Sequence, residues 1–307
     1  MIKATRDGYG EGLVEIGKIN KDVVVLDADL GASTKSFMFK KLFPERFFDF
    51  GIAEGAMVDA AAGFAYAGKL PYASSFAVFI TGRAFEYIRQ SVCYPSNKVF
   101  LCGSHSGISV GADGGSHQAI ADIAIMRALP NMRVIVPADF NETKAAVIAS
   151  LEWDGPTYLR TSRAKSKKIF SENTDFDFKA KLLRDGSDIT LISCGLMTHI
   201  ALEAADKLSG KGISCEVINL STIKPIDESI LESISKTKRV ATLEEHSIIG
   251  GLGGTIGELT SEKLPVKMLR IGIDDRFGQS GSADELFRYY GLDSESVVLK
   301  IEKFMSG

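Results

Sequence analysis

The chain has 307 residues, 45% hydrophobic and 24% charged, with a formal net charge of −3. That length accommodates about two domains with sound cores, and the charge balance excludes the basic field that draws nucleic acid. The opening "MIKATRDGYGEGL" has no apolar signal core, and no 18-residue apolar run follows it, so the expectation is a cytoplasmic protein that does not enter a membrane.

In chain order, short apolar runs read as strands: "DVVVLDAD" (22–29), "RFFDFGI" (46–52), "LPYASSFAVF" (70–79), "KVFLCGSH" (98–105), "MRVIVPAD" (132–139) and "PTYLRTS" (156–162). They are β-branched or aromatic with few polar interruptions, as in strands buried on both faces. Between them lie helix-length segments: "GAMVDAAAGFAYAG", "SHQAIADIAIMRAL" and "FNETKAAVIASLEW", the last opened by a capping box of Asp139 and Glu142. Strand–helix–strand alternation predicts a doubly wound α/β domain with a mainly parallel sheet over residues 1–164.

The polar, aperiodic stretch 165–186 reads as a linker. A second α/β set occupies 187–307. Its strands are "ITLISCG" (189–195), "ISCEVINLS" (213–221), "RVATLEEH" (239–246) and "VKMLRIGI" (266–273). Its helices are "MTHIALEAADKLSG", "IDESILESIS", "LGGTIGELTSEKL" and "SADELFRYYG", the last capped by Ser282 with Glu285. The four cysteines, Cys93, Cys102, Cys194 and Cys215, lie singly in apolar runs, which favours buried thiols over disulfides or zinc.

Ligands of open parallel sheets sit outside the carboxyl ends of strands. That rule selects Asp29, Glu54, Phe76 to Thr81, His105 and Arg163. Glu54, set between an apolar run and a small-residue helix, either favours that helix's positive end or serves a bound partner that uses a partly buried acid. The loop "GSHSGISVGADGGSHQAIAD" (103–122) carries two of the four histidines, His105 and His117, with Asp113 between them. Its spacing suits no metal, whereas imidazoles, a carboxylate and glycine-exposed backbone suit hydroxyls and a phosphate. "GGLGGTIGE" (250–258) lacks a clean G-x-G-x-x-G and reads as tight helix packing, and "ADGG" ahead of Asn141 is only a faint echo of a G-D-G…N motif.

"ATRDGYGEGL", "DADLGAS", "FGIAEGAM", "FAVF", "GSHSGISVGADGGSHQ", "ALPNMRVIVPAD" and "FGQSG" together resemble the second half of a transketolase. The likeness runs over nearly the whole chain and is specifically to the C-terminal subunit of transketolases split into two polypeptides. It implies a pyrimidine-binding domain followed by a transketolase C-terminal domain. It also implies ketol transfer between sugar phosphates in carbohydrate metabolism, with thiamine diphosphate as cofactor. The Mg²⁺ ligands would lie on an N-terminal partner subunit, in an α2β2 assembly.

By that resemblance Glu54 matches the glutamate that hydrogen-bonds the cofactor's aminopyrimidine, Phe76 and Phe79 pack on that ring, and Asp29 lies near the cofactor. Arg6, Ser33, His105 and Arg163 match a sugar-phosphate clamp. Asp113 matches the carboxylate that reads a substrate hydroxyl, and His117 the imidazole beside the reacting carbonyl. The chain departs from the pattern at Gly82, where a third aromatic is usual and Phe85 or Tyr87 would have to compensate. It departs again at Ser106 and Ala112, where acids are common. Alternative readings are the β subunit of a 2-oxoacid dehydrogenase first component, which needs no sugar-phosphate clamp, a deoxyxylulose-phosphate synthase-like enzyme, and a non-catalytic partner of the same fold.

Overall fold

The computed structural model describes residues 2–306. In chain order its strands are β1 (Lys3–Ala4), β2 (Val23–Asp27), β3 (Phe47–Asp49), β4 (Leu70–Phe76), β5 (Phe100–Ser104), β6 (Arg133–Ile135) and β7 (Thr157–Arg160). There follow β8 (Lys165–Ser166), β9 (Lys181–Arg184), β10 (Ile189–Ser193), β11 (Cys215–Asn219), β12 (Thr222–Lys224), β13 (Arg239–Ser247) and β14 (Lys267–Ile273). Seven strands form the first sheet, in the order β12-β6-β7-β5-β4-β2-β3, and five form the second, β14-β13-β10-β11-β9. Both are parallel except at one edge strand each, β12 and β9. Every residue of β2, β5, β10 and β11 is buried, because helices cover both faces. The architecture is the expected pair of mainly parallel α/β domains.

Several boundaries differ from the sequence reading. The run 70–79 is not one strand: β4 stops at Phe76, and Ala77–Arg83 turns helical. An apolar run carries no period that separates strand from helix, and this one holds both. The helix expected over 116–129 begins only at Asp122. Its first six residues continue the glycine-rich loop, and Ala119 bridges to Ser106. The segment 165–186 is not wholly linker, since β8 pairs antiparallel with β1 and β9 closes the edge of the second sheet. Phe176 and Phe178, between them, pack against Trp153. Helices at Thr5–Ile19 and Ser294–Ser306 were missed. The box at 139–142 is half formed. Asp139 accepts from the Glu142 N–H, but the Glu142 carboxylate turns to the Ala138 N–H, Asn219 and Ser221. The Ser282–Glu285 box is complete.

The two domains are locked together. Strand β12 belongs to the second domain in sequence yet extends the first sheet. One apolar cluster takes Ile123, Met126 and Val136 from the first domain and Ile192, Ile218 and Ile256 from the second. Buried Arg160 pairs with Asp122 at 2.7 Å and donates to the carbonyls of Ala119 and Glu245. Asp122 Oδ2 also accepts from Tyr158, while its Oδ1 is buried without a partner, and a buried ion pair of this kind fixes geometry more than it adds stability. The geometry it fixes is that of the loop carrying His105 and His117. The second domain's "FGQSG" turn lies under the same loop. Gly114 has φ +75°, and a side chain there would meet Ser280, while one at Gly115 would meet the Gly278 carbonyl.

Candidate active site

The carboxyl edge of the first sheet gathers the predicted residues because its strands lie in the order β7, β5, β4, β2, β3. Arg163 follows β7, His105 follows β5, Phe76 ends β4, Asp29 and Ser33 follow β2, and Glu54 follows β3. The Thr5–Ile19 helix brings Arg6 to the same edge, since Thr5 is hydrogen-bonded to Ser162.

One corner of the site is acidic and aromatic. Glu54 opens the helix Glu54–Tyr66 and is only 3% exposed. Nη1 of Arg83 donates to both its oxygens, at 3.2 and 3.3 Å. The same guanidinium lies 4.3 Å from the centroid of the Phe79 ring. Phe79 lies parallel to Phe76, with centroids 5.9 Å apart. His117 meets the Phe79 ring edge-on at 5.2 Å, and its Nδ1 is 3.0 Å from Ser116 Oγ. A side chain at Gly82 would find open space. Of the two aromatics that could compensate for it, Phe85 packs into the core, whereas Tyr87 lies against Gly55, beside Glu54.

The other corner is basic. His105 sits in the left-handed region at φ +56°, stacked on Phe76 at 3.9 Å. Arg6 Nη1 lies 3.0 Å from His105 Nε2 and also donates to the Ser33 carbonyl. A guanidinium only donates, so Nε2 accepts and Nδ1 carries the proton it gives to Ser104 Oγ, 2.8 Å away. Burial, then the charges of Arg6, Arg163 and Lys35, push the His105 pKa down to about 3, so the ring is neutral at physiological pH. Burial also lowers the pKa of Arg6, and Arg163 repels it. The Nε of Arg6 is buried without a hydrogen-bond partner. Arg163 is half exposed and paired with Asp113 at 3.4 Å.

The structure thus brings together Glu54, Phe76, Phe79, His105, His117, Arg6, Ser33, Asp113 and Arg163. Asp29 stands apart: it is exposed at φ +61°, and its N–H is held by Asp49. The buried acid of that loop is Asp27, which accepts from Thr34, Ser36 and the Leu30 N–H; burial pushes its pKa up to about 6. Ser106 is buried with its hydroxyl on the Thr161 carbonyl, so it braces the loop, while Ala112 is exposed. Sequence reasoning missed Arg83, Lys35 and Ser104. Arg83 lies four residues past Phe79, one helical turn, a spacing that carries meaning only once Ala77–Arg83 is helix and not strand. The "GGLGG" segment is the tight packing expected: Glu244 accepts from the Leu252 and Gly253 N–H groups, and a side chain at Gly251 would strike that carboxylate.

Comparison with known proteins converges on one family. Residues 2–168 match the transketolase pyrimidine-binding domain and residues 178–297 the transketolase C-terminal domain. A chain of Methanocaldococcus jannaschii named as a transketolase C-terminal section is 50% identical over 310 residues, covering 99% of this chain and 97% of that one. A 6-deoxy-6-sulfo-D-fructose transketolase subunit of Clostridium sp. is 40% identical, covering 95% and 92%. Among solved structures, a split-gene transketolase described as an inactive β4 tetramer superposes with a TM-score of 0.90 at 44% identity, covering 99% and 98%. The transketolase of Campylobacter jejuni superposes at 0.85 and 28% identity, with this chain spanning 47% of its length.

Proposed function

This chain belongs to the transketolase family, and from that premise we propose that it is the C-terminal subunit of a two-chain transketolase. The enzyme moves a two-carbon ketol unit from a ketose phosphate to an aldose phosphate. The observation that carries the substrate class is the basic corner. Arg6, with a buried Nε that has no partner, a neutral His105, and the nearby charges of Arg163 and Lys35 form a site short of an anion.

The acidic corner fits thiamine diphosphate. A buried carboxylate beside an aromatic wall suits a planar, nitrogen-rich ring. Among the described residues no three His, Cys, Asp or Glu gather as they would around a metal ion. In this reading, which follows the split-subunit family, Mg²⁺ and the diphosphate are held by the partner subunit. When bound, the cofactor supplies the carbanion chemistry. Glu54 would hold a proton against the pyrimidine nitrogen, and Phe76 and Phe79 would bury the ring and exclude water, whereas Asp29, exposed and set apart, is given no part. His117 moves a proton at the substrate carbonyl oxygen. Arg6, Ser33, His105 and Arg163 grip the phosphate, and Asp113 takes a hydroxyl. Opening the Arg163–Asp113 pair frees both groups for these tasks.

A test is the assay of the chain with and without an N-terminal subunit carrying the diphosphate-binding domain. Alone it is expected to give no ketol transfer, in keeping with the inactive β4 tetramer of its split-gene relative. With the partner, in an α2β2 assembly, transfer between sugar phosphates appears. Robust activity from the isolated chain would overturn the split-subunit reading. Lipoyl-dependent decarboxylation of a 2-oxoacid with no response to sugar phosphates would replace it with the dehydrogenase reading.

A further inference from the structure

Arg83 has no place in the mechanism above, yet it lies across the centre of the site. Its guanidinium is flat, donates hydrogen bonds to both oxygens of Glu54 and covers the face of Phe79. Those are the two contacts assigned to the aminopyrimidine ring: a nitrogen on the carboxylate and a flat face on the aromatic wall. Both cannot be made at once. Among the described residues Arg83 is the sole side chain hydrogen-bonded to Glu54, and Glu54 is the sole hydrogen-bond partner of Arg83. Glu54 is 3% exposed and the Arg83 side chain 53%, so the arginine covers the acid from the solvent side.

We infer that Arg83 is a gate on the cofactor site, occupying the place of the aminopyrimidine between Glu54 and Phe79 and swinging out before the cofactor can enter. The inference rests on the transketolase reading of Glu54 and Phe79. The gate is light. The ion pair is half exposed, and the stacking contact is to one ring, so the two together favour the closed position by roughly 3–30-fold. Open space around Gly82, at the end of the same short helix, leaves the side chain room to turn. Occupancy by Arg83 lowers apparent affinity by the fraction of time the site is open. It also keeps a buried carboxylate paired while no cofactor is bound, which avoids the cost of leaving that charge alone.

The test uses the assembled two-subunit complex with Mg²⁺, titrated with thiamine diphosphate by calorimetry, with association followed by stopped flow. Arg83→Ala is expected to bind roughly 3–30-fold more tightly and to associate faster than wild type. Arg83→Lys, which keeps the charge and loses the planar fork, is expected to fall between them. Unchanged or weaker binding by Arg83→Ala overturns the gate; weaker binding would make the arginine a cofactor ligand instead. The underlying reading fails separately. If Glu54→Gln abolishes proton exchange at the cofactor's C2 while Arg83→Ala leaves affinity unchanged, the transketolase reading stands and the gate falls. If the wild-type complex binds no thiamine diphosphate, both fall.

Discussion

Two corners of one sheet edge meet at Phe76, and they treat charge in opposite ways. At the acidic corner, Glu54 has its charge answered inside the chain by Arg83. At the basic corner, Arg6 and Arg163 crowd around a neutral imidazole, and the Nε of Arg6 goes unanswered. A group already satisfied must exchange one partner for another when a ligand arrives. A donor left buried and unpaired loses nothing on binding and gains a bond. The acidic corner is therefore built for displacement and the basic corner for capture, and each can be perturbed without the other.

The largest effect belongs to the acidic corner. Glu54→Gln preserves shape and removes the shared proton, so in the assembled enzyme C2–H exchange and turnover are expected to fall by ~10²–10⁴. Cofactor binding should persist. Exchange at the wild-type rate would reduce Glu54 to a helix-start acid and erase the contrast between the corners.

Next in size is the basic corner. Arg6→Ala removes charge-assisted hydrogen bonds worth ~1.5–3 kcal/mol, roughly 10–150-fold in kcat/KM. The loss should be confined to phosphorylated substrates, with cofactor affinity unchanged. Arg163→Ala should show the same selectivity with a smaller loss, about tenfold or less, because Arg163 is half exposed and must first leave Asp113. Equal losses for phosphorylated and unphosphorylated sugars would make these arginines supports of the fold. A larger loss at Arg163 than at Arg6 would reverse their order in the clamp.

The contrast also separates what the sequence reveals from what it hides. Alternation of apolar runs with helical segments was enough for two α/β domains, and the strand-end rule placed Glu54, His105 and Arg163 on one edge before any geometry was known. Strand order within the sheet was not legible, because parallel pairings join residues far apart in the chain. For the same reason β12 could not be read as part of the first sheet. The helix at Thr5–Ile19 was hidden by its glycines, and yet Gly8, Gly12 and Gly17 are what let it pack against Phe140, Val147 and Phe39. Of the basic corner, residue types and strand ends picked out His105 and Arg163, while Arg6 and Ser33 came only with the family resemblance. Arg83 came by neither route, since a surface arginine next to a glycine looks like any solvated charge until the turn at Ala77 carries it over Phe79.

The smallest expected effect probes how deeply the basic corner is sealed. The unfolded chain offers His105 a pKa near ~6.5, while burial and the surrounding cations hold it near about 3 in the fold. A histidine depressed in this way gives a contribution to stability that is complete above the unfolded pKa. It is lost as pH falls through the window from about 6.5 towards 3, because the unfolded state takes up the proton first. His246, pushed down to about 4, acts in the same sense. Glu142, Glu244 and Glu245, pushed up to about 7 by burial, act in the opposite sense, and their contribution is lost as pH rises towards 7. All four remain in a His105→Gln variant, so the difference between variant and wild type isolates His105. Urea unfolding of both chains at pH 7 and pH 5 should show the variant as the less stable at pH 7, having lost the Arg6 and Ser104 contacts. The gap should close by about 1–2 kcal/mol at pH 5, the linkage value for one proton over that interval. A gap that did not change with pH would mean that folded His105 protonates as readily as the unfolded chain. The ring would then lie open to solvent, and the tautomer that accepts from Arg6 would not be the one that meets the substrate phosphate.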